Sequence, residues 1–216
     1  MKEEFKVYQK VFDNRTIMTL YQLSKKYFRT IGGPVKTGKE SDVYLLYTKE
    51  GGKIVAKIYK IETSNFRNMW KYIKGDSRIP YIGKEKKKLV YAWTEKEFRN
   101  LWTARRMGIP APEPIAFKNN VLLMEFIGDD SPAPIAKYHP PKDPKRWYRL
   151  IMGYIDKMEK EGFVHGDLSE FNILNWNEKP ILIDWSQSVF RDHPLFEELL
   201  ERDRKNMERW FSSLGV

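Results

Sequence analysis

Apolar residues Ile17, Leu20, Tyr21, Tyr27 and Phe28 recur at helical spacing behind Asp13 and Asn14, which suit a helix start. The pattern predicts an N-terminal helix within residues 13–29. Val43–Tyr47 and Ile54–Ile58 read as strands, with Gly51 and Gly52 making the turn. From Glu62 to about Lys88 the chain holds Gly75, Pro80, Gly83 and the run Lys84, Lys86, Lys87, Lys88, with no clean period. A loop this long inside a compact domain tends to be functional or mobile, so a flexible loop is expected there. Thr94 to Met107 predicts a helix ended by Gly108. Pro110, Pro112 and Pro114 then force an extended connection. Ile115–Phe117 and Val121–Phe126 predict two more strands, turning at Asn119-Asn120. Gly128 to Pro141, rich in Pro, Asp and Gly, reads as a linker. Pro144, just behind Asp143, opens a helix to about Glu161. Two short strands, Ile173–Asn175 and Ile181–Asp184, precede a last helix from about Pro194 to Leu214.

Strands with one helix, a linker, then mostly helices make an α+β protein with a cleft between unequal lobes. The expected division is residues 1–30 as a helical extension and 31–127 as a mainly β lobe with its loop at about 62–88. Residues 128–216 form the linker and a mainly α lobe. The 216 residues, 41% of them hydrophobic, suffice for a real core. Cysteine is absent, which excludes disulfides and thiolate metal sites. The opening MKEEFKVYQK lacks the apolar stretch of a signal peptide, and no apolar run reaches membrane-spanning length. A soluble, cytoplasmic monomer with no membrane partner is expected. The net charge of +10 favours polyanionic partners such as RNA, although a Lys-rich solvated surface would give the same sum.

Chemistry concentrates in His165-Gly166-Asp167-Leu168-Ser169-Glu170-Phe171-Asn172, followed by Ile181-Leu182-Ile183-Asp184. Phosphoryl transfer needs a positioned divalent ion and a residue that orients the nucleophile. A kinase site supplies these as an Asp, an Asn five residues later and a second Asp on the next hairpin, and Asp167, Asn172 and Asp184 have that spacing. Magnesium takes hard oxygen ligands, which Asn172 and Asp184 offer, with manganese as its alternative. Asp167 would orient the attacking hydroxyl. The plainer reading makes both aspartates turn formers.

Lys57, in Ile54-Val55-Ala56-Lys57, matches the phosphate-holding lysine of the same template. Its expected partner is Glu97, which shares a helix face with Leu101 and Ala104. Thr94 and Glu97 also have capping-box spacing, which would tie Glu97 to a helix start instead. Thr37-Gly38-Lys39-Glu40-Ser41, between two strands, is either a phosphate cradle or an ordinary hairpin turn. Leu122–Gly128 is either a buried strand or a strand running into an adenine-binding hinge. In the second case Met124 guards the back of the pocket, and the Glu125 carbonyl and Ile127 amide contact the base.

Thr37–Tyr44, Ala56–Tyr59, Thr63–Met69, Trp93–Leu101 and Ile183–Val189 together resemble the Rio-one branch of the RIO atypical protein kinases, over nearly the whole chain. About thirty residues precede the first expected strand, too few for the winged helix of the Rio-two branch. The resemblance implies a trimmed two-lobed kinase fold with no activation segment or peptide-binding subdomain. No Ala-Pro-Glu motif follows Asp184. It further implies that ATP is bound by Lys57, Glu125 and Ile127, by Met124, and by a nucleotide loop of Thr37, Gly38, Lys39, Glu40, Ser41 and Val43. Asn172 and Asp184 would bind magnesium, Asp167 would be the catalytic aspartate, and Asp184 would carry a transient aspartyl phosphate. Autophosphorylation on serine follows, with Ser64 and Ser77 as candidates. The implied partner is the maturing small ribosomal subunit, its rRNA and proteins. Gly166 stands where regulated kinases carry arginine. Two rivals remain: a small-molecule phosphotransferase of the choline or aminoglycoside kinase type, and a nucleotide-gated RNA- or ribosome-binding module with little catalysis.

Overall fold

The computed structural model describes residues 11–80, 82–83 and 85–216. The expectations for the first ten residues and for Lys84 therefore lie outside the described residues. Asp13 caps α1 (Asn14–Ser24) by accepting from the Arg15 and Thr16 amides. A five-stranded antiparallel sheet follows: β1 (Thr30–Thr37), β2 (Ser41–Tyr47), β3 (Lys53–Tyr59), β4 (Pro114–Lys118) and β5 (Val121–Glu125), in spatial order β1-β2-β3-β5-β4. Between β3 and β4 run α2 (Phe66–Lys74) and α3 (Lys86–Arg106). The helical half contains α4 (Pro144–Lys160), the short pairs β6 (Phe163–Val164) with β9 (Val189–Phe190) and β7 (Ile173–Trp176) with β8 (Lys179–Leu182), and α5 (Phe196–Ser213).

Strand alternation decides which face each side chain meets. Ile54, Ala56 and Ile58 of β3 join Ile17, Leu20 and Leu23 of α1 in one buried cluster. Lys57 and Tyr59 therefore point to the other face, toward α3 and the cleft. The larger cluster runs from Tyr59 and Leu122 of the sheet through Leu89, Val90, Trp93, Leu101 and Ala104 of α3 into the helical half. α3 is thus built into the core that carries α4 and α5.

Three expectations are corrected. Residues 62–88 are not one loop. α2 lies inside them, capped by Asn65 and burying Met69, Tyr72 and Ile73 at helical spacing. It is short enough that Gly75, Pro80 and the lysines hide its period. α3 begins at Lys86 rather than at Thr94. Its first turn holds three lysines and no capping side chain, the reverse of what the helix dipole favours, so its start carries no local signal. The last short strand ends at Leu182, leaving Ile183 and Asp184 outside it.

Candidate active site

The mid-helix position of Thr94 removes the capping-box reading. Its hydroxyl donates to the Val90 carbonyl (2.9 Å). Glu97 is free to face the sheet, and its Oε1 accepts from Lys57 Nζ at 2.8 Å. Lys57 also donates to Asp184 Oδ1 at 3.0 Å. The second Glu97 oxygen accepts from the Tyr59 hydroxyl. Lys57, Glu97 and Tyr59 are all buried, so this is a desolvated ammonium between two carboxylates. Burial works against charge on Lys57, but Asp184 and Glu97 outweigh it and hold the ammonium well above its usual range. Burial likewise pushes Asp184 up, yet Lys57 and the Ser186 hydroxyl (2.9 Å) win and bring its carboxyl to about 2. Asp184 is therefore a fully ionised acceptor at neutral pH. Its φ of 64° lies in the left-handed region, sparsely used by residues with a side chain and frequent at functional sites.

The 165–172 loop is held from three sides. His165 Nε2 meets the Ile183 carbonyl (3.1 Å), while its Nδ1 accepts from the Asp167 amide (3.3 Å). Both bonds are made only by the neutral ring with its proton on Nε2. Burial lowers its pKa to about 4, in keeping with that tautomer. The Ile183 amide donates to the Asn172 carbonyl (2.9 Å), which ties Asn172 to the residue before Asp184. Asn172 Nδ2 donates to the Asp167 carbonyl (2.8 Å) and to Asp167 Oδ2 (3.2 Å), leaving its oxygen as a hard acceptor. Burial first, then the charge of Asp184, raises the Asp167 carboxyl to about 6. Two neighbouring carboxyls with pKa values pushed apart suit an ionic holder and a proton acceptor.

Sequence reasoning missed Asp203 of α5. It accepts from the Gly166 amide (2.8 Å) and the Leu168 amide (2.9 Å), straddling Asp167. The available signal was an acidic residue on a stripe of Leu199, Leu200, Met207 and Trp210, where burial leaves no solvent to serve it. Arg202 donates to the Gly166 carbonyl. Gly166 itself has φ 82°, and a Cβ there would stand 2.8 Å from the Gln187 carbonyl oxygen. Any side chain at this position would be strained and would crowd the Gln187 carbonyl, so the local backbone favours glycine over arginine here.

A cavity of about 480 Å³ borders Lys57, Glu97 and Asp184, while Asp167 and Asn172 are not among its lining residues. Gly38, Lys39, Glu40, Ser41 and Val43 line its roof, Lys57 and Glu97 its back, Met124, Glu125 and Ile127 its inner edge, and Asp184 its floor. Thr37, expected with them, does not line it; it pairs with Asp42 in the β1–β2 ladder. The 37–41 turn is strapped down by Lys60 Nζ on the Gly38 carbonyl (2.8 Å) and by Thr63 Oγ1 on the Lys39 carbonyl (2.5 Å). Glu125 closes β5 opposite Ile54, and the Ile127 carbonyl is taken by the Ala133 amide (2.9 Å). Gly128, at φ 144°, turns the chain so sharply that a Cβ would strike the Ser131 carbonyl oxygen. A second cavity, about 560 Å³, lies between the start of α1 and residues 58–63, and none of Lys57, Glu97, Asp167, Asn172 and Asp184 lines it. Of the two serines expected to be modified, Ser64 is buried with its hydroxyl on the Lys60 carbonyl, whereas Ser77 is exposed.

Among the described residues no helix is long and apolar enough to cross a membrane. No cluster of three His, Cys, Asp or Glu side chains able to hold a metal unaided occurs among them either.

Residues 42–216 match the model of the RIO domain family. The chain is 38% identical over 217 residues to the RIO-type serine/threonine-protein kinase Rio1 of Haloferax volcanii, spanning 99% of this chain and 74% of that protein. It is 39% identical to the Rio1 kinase of Methanocaldococcus jannaschii, over 97% of this chain and 72% of that one. Against human serine/threonine-protein kinase RIO1 the identity is 38%, but the match spans only 38% of that longer protein. The fold matches the Rio2 kinase of Chaetomium thermophilum, solved as an ADP/Mg2+-phosphoaspartate complex, with TM-score 0.73 and 26% identity, covering 92% of this chain and 60% of that one. With the kinase-type cluster of Lys57, Glu97 and Asp184 assembled in its cleft, the chain belongs to the RIO family of atypical serine/threonine protein kinases, on the Rio1 branch.

Proposed function

We propose that the 480 Å³ cavity binds ATP and that Lys57, Asp167, Asn172 and Asp184 carry out metal-dependent phosphoryl transfer on it. The observation that carries this reading is the buried ammonium of Lys57, fixed between Glu97 and Asp184 on the cavity wall. Kinase catalysis is mostly positioning and charge stabilisation, and a lysine held this way is aimed rather than free to wander. The Glu125 carbonyl and the Ile127 amide offer the backbone pair for adenine, with Met124 behind it, and the strapped 38–41 turn offers amides to the phosphates. Asn172 and Asp184 supply two oxygens for magnesium, which when bound neutralises phosphate charge.

In this reading the ionised Asp184 carboxylate also acts as a nucleophile, a role supported by the phosphoaspartate named for the similar Rio2 kinase of Chaetomium thermophilum. An Asp184 oxygen forms a bond to the γ-phosphorus, the bond to the β–γ bridging oxygen breaks, and ADP leaves with the electron pair. Water then attacks the same phosphorus as Asp167 takes its proton; the bond from phosphorus to the Asp184 oxygen breaks, its electron pair restores the Asp184 carboxylate, and phosphate departs. A serine hydroxyl oriented by Asp167 takes the water's place in the kinase reaction. The restrained cleft and the net charge of +10 support a nucleotide-dependent role on a polyanionic assembly, namely the maturing small ribosomal subunit.

The decisive experiment measures magnesium-dependent ATP turnover in Asp184→Asn and Lys57→Met. Each is expected to lose at least about 100-fold in kcat, the scale on which single electrostatic partners act. Full turnover in folded Asp184→Asn would contradict the assignment. Strong stimulation of the wild type by one hydroxylated small molecule would favour a choline-kinase-like activity instead.

A further inference from the structure

Lys96 sits one residue before Glu97 on α3, yet its ammonium is outside the nucleotide cavity and its side chain is 0% exposed. A buried ammonium is costly unless paired and hydrogen-bonded. Lys96 Nζ donates to Asp76 Oδ2 at 2.9 Å and to the Ser188 carbonyl. One turn on, Asn100 Nδ2 donates to the Trp185 carbonyl (2.8 Å) and again to the Ser188 carbonyl (3.1 Å). Asp76 is in turn gripped by Arg78, through Nε to Oδ1 (2.8 Å) and Nη2 to Oδ2 (2.6 Å). The Arg78 guanidinium lies over Phe190, 4.6 Å from the ring centroid. Three segments therefore meet at one ammonium: α3, the turn after α2, and the residues just after Asp184.

α3 thus reaches the catalytic cluster by two routes. Glu97 sets the Lys57 ammonium, and Lys96 with Asn100 sets the backbone that carries Asp184. The left-handed φ of Asp184 makes its carboxylate direction depend on how residues 185–188 are held. We propose that Lys96 is a positioning residue for phosphoryl transfer, which keeps the segment after Asp184 in register with the Lys57–Glu97 pair and makes that register depend on docking of residues 75–78. A pair that served only to fill the core would not need the Ser188 carbonyl, since apolar residues of the same volume pack there as well or better. Burial pushes Lys96 down to about 8 even with Asp76 pulling it back up, so its charge relies on that carboxylate. This rests on the reading of Lys57 and Asp184 as phosphate- and metal-holding groups.

The test is Lys96→Met, which keeps length, removes charge and leaves Asp76 its Arg78 partner. ADP affinity without metal should stay at the wild-type value. The magnesium concentration for half-maximal ATP turnover should rise about tenfold or more and kcat should fall about 10- to 100-fold, as for lost supports of a metal ligand. Asp184→Asn is measured alongside. If it is inactive while folded Lys96→Met keeps wild-type kcat and magnesium dependence, the positioning role is overturned. If Asp184→Asn turns over normally, the underlying site reading falls and takes this proposal with it. Hydrogen exchange in Asp76→Asn decides the matter should Lys96→Met not fold: amides 185–188 should exchange several-fold faster while those of α4 do not change. Unaltered exchange at 185–188 counts against the proposal.

Discussion

At the scale of single residues, burial and neighbouring charge hold adjacent groups of the cleft in different protonation states. His165 is kept neutral first by burial, and the neutral ring matches its partners: Nε2 toward the Ile183 carbonyl and Nδ1 toward the Asp167 amide. Protonation would aim an N–H at an N–H. Its folded pKa of about 4 lies below the ordinary 6.5. A lowered folded pKa contributes stability that is complete above about pH 6.5 and is lost as pH falls through about 4. At about 1.4 kcal/mol per pKa unit, the loss amounts to roughly 3 kcal/mol. Asp167 and Asp203, raised to about 6 and about 7, act in the opposite sense over this range, so the wild-type slope alone is ambiguous. The difference between wild type and His165→Gln isolates the histidine. Thermal melts from pH 7.5 to 4 should show a shallower decline in the variant, whose amide can still donate to Ile183. Parallel curves would mean that His165 does not titrate in this range.

At the scale of elements, α5 anchors the 165–172 loop. Asp203 satisfies two buried amides on either side of Asp167, and Asn206 adds a bond to the Leu168 carbonyl (3.0 Å). Asp203→Ala strands both amides in the core, where a buried polar group without a partner is expensive. The expected cost is about 2–4 kcal/mol in a denaturant titration. Turnover should fall as well, because Asp167 is carried between those amides. Asp203→Asn keeps an acceptor and should be milder on both counts. Equal stability of Asp203→Ala and wild type would show that the loop holds itself. α3 is the second organising element. Its apolar stripe is interrupted by Lys96, Glu97 and Asn100, all buried, and these polar interruptions are where it touches the site.

At the scale of the whole molecule, one apolar cluster joins α3 and the sheet to the helical half, so the cleft has a continuous floor rather than two loosely linked lobes. Residues 185–195 alone separate Asp184 from α5, leaving no room for an activation segment between them. The net charge of +10 bears on association rather than on the fold. If, as proposed, the chain binds small-subunit precursor RNA, that binding should weaken steeply with salt, with a linear log–log slope of several units, as expected when several phosphates are neutralised. If nucleotide state controls that association, affinities measured with ATP and with ADP must differ, since coupling between the two sites is reciprocal. Equal affinities would leave an ATPase with no switch.

The residues proposed to do the chemistry were readable in the linear order, and so were β2 to β5, α4 and α5. Short-range spacing carries them. Asp167 and Asn172 belong to one loop, Asp184 follows the next hairpin, and strand alternation sends Lys57 to the opposite face from Ala56. Tertiary packing alone decided the rest. Glu97 could have capped a helix or paired with Lys57, and only the early start of α3 at Lys86 removed the first choice. α2 was hidden by flanking Gly, Pro and Lys, and it is a helix because Met69, Tyr72 and Ile73 found a core to enter. Lys96 and Asp203 look like ordinary charges in sequence. They acquired their roles by being buried against groups from residues 76, 166, 168 and 188, and no local pattern encodes a partner that far along the chain.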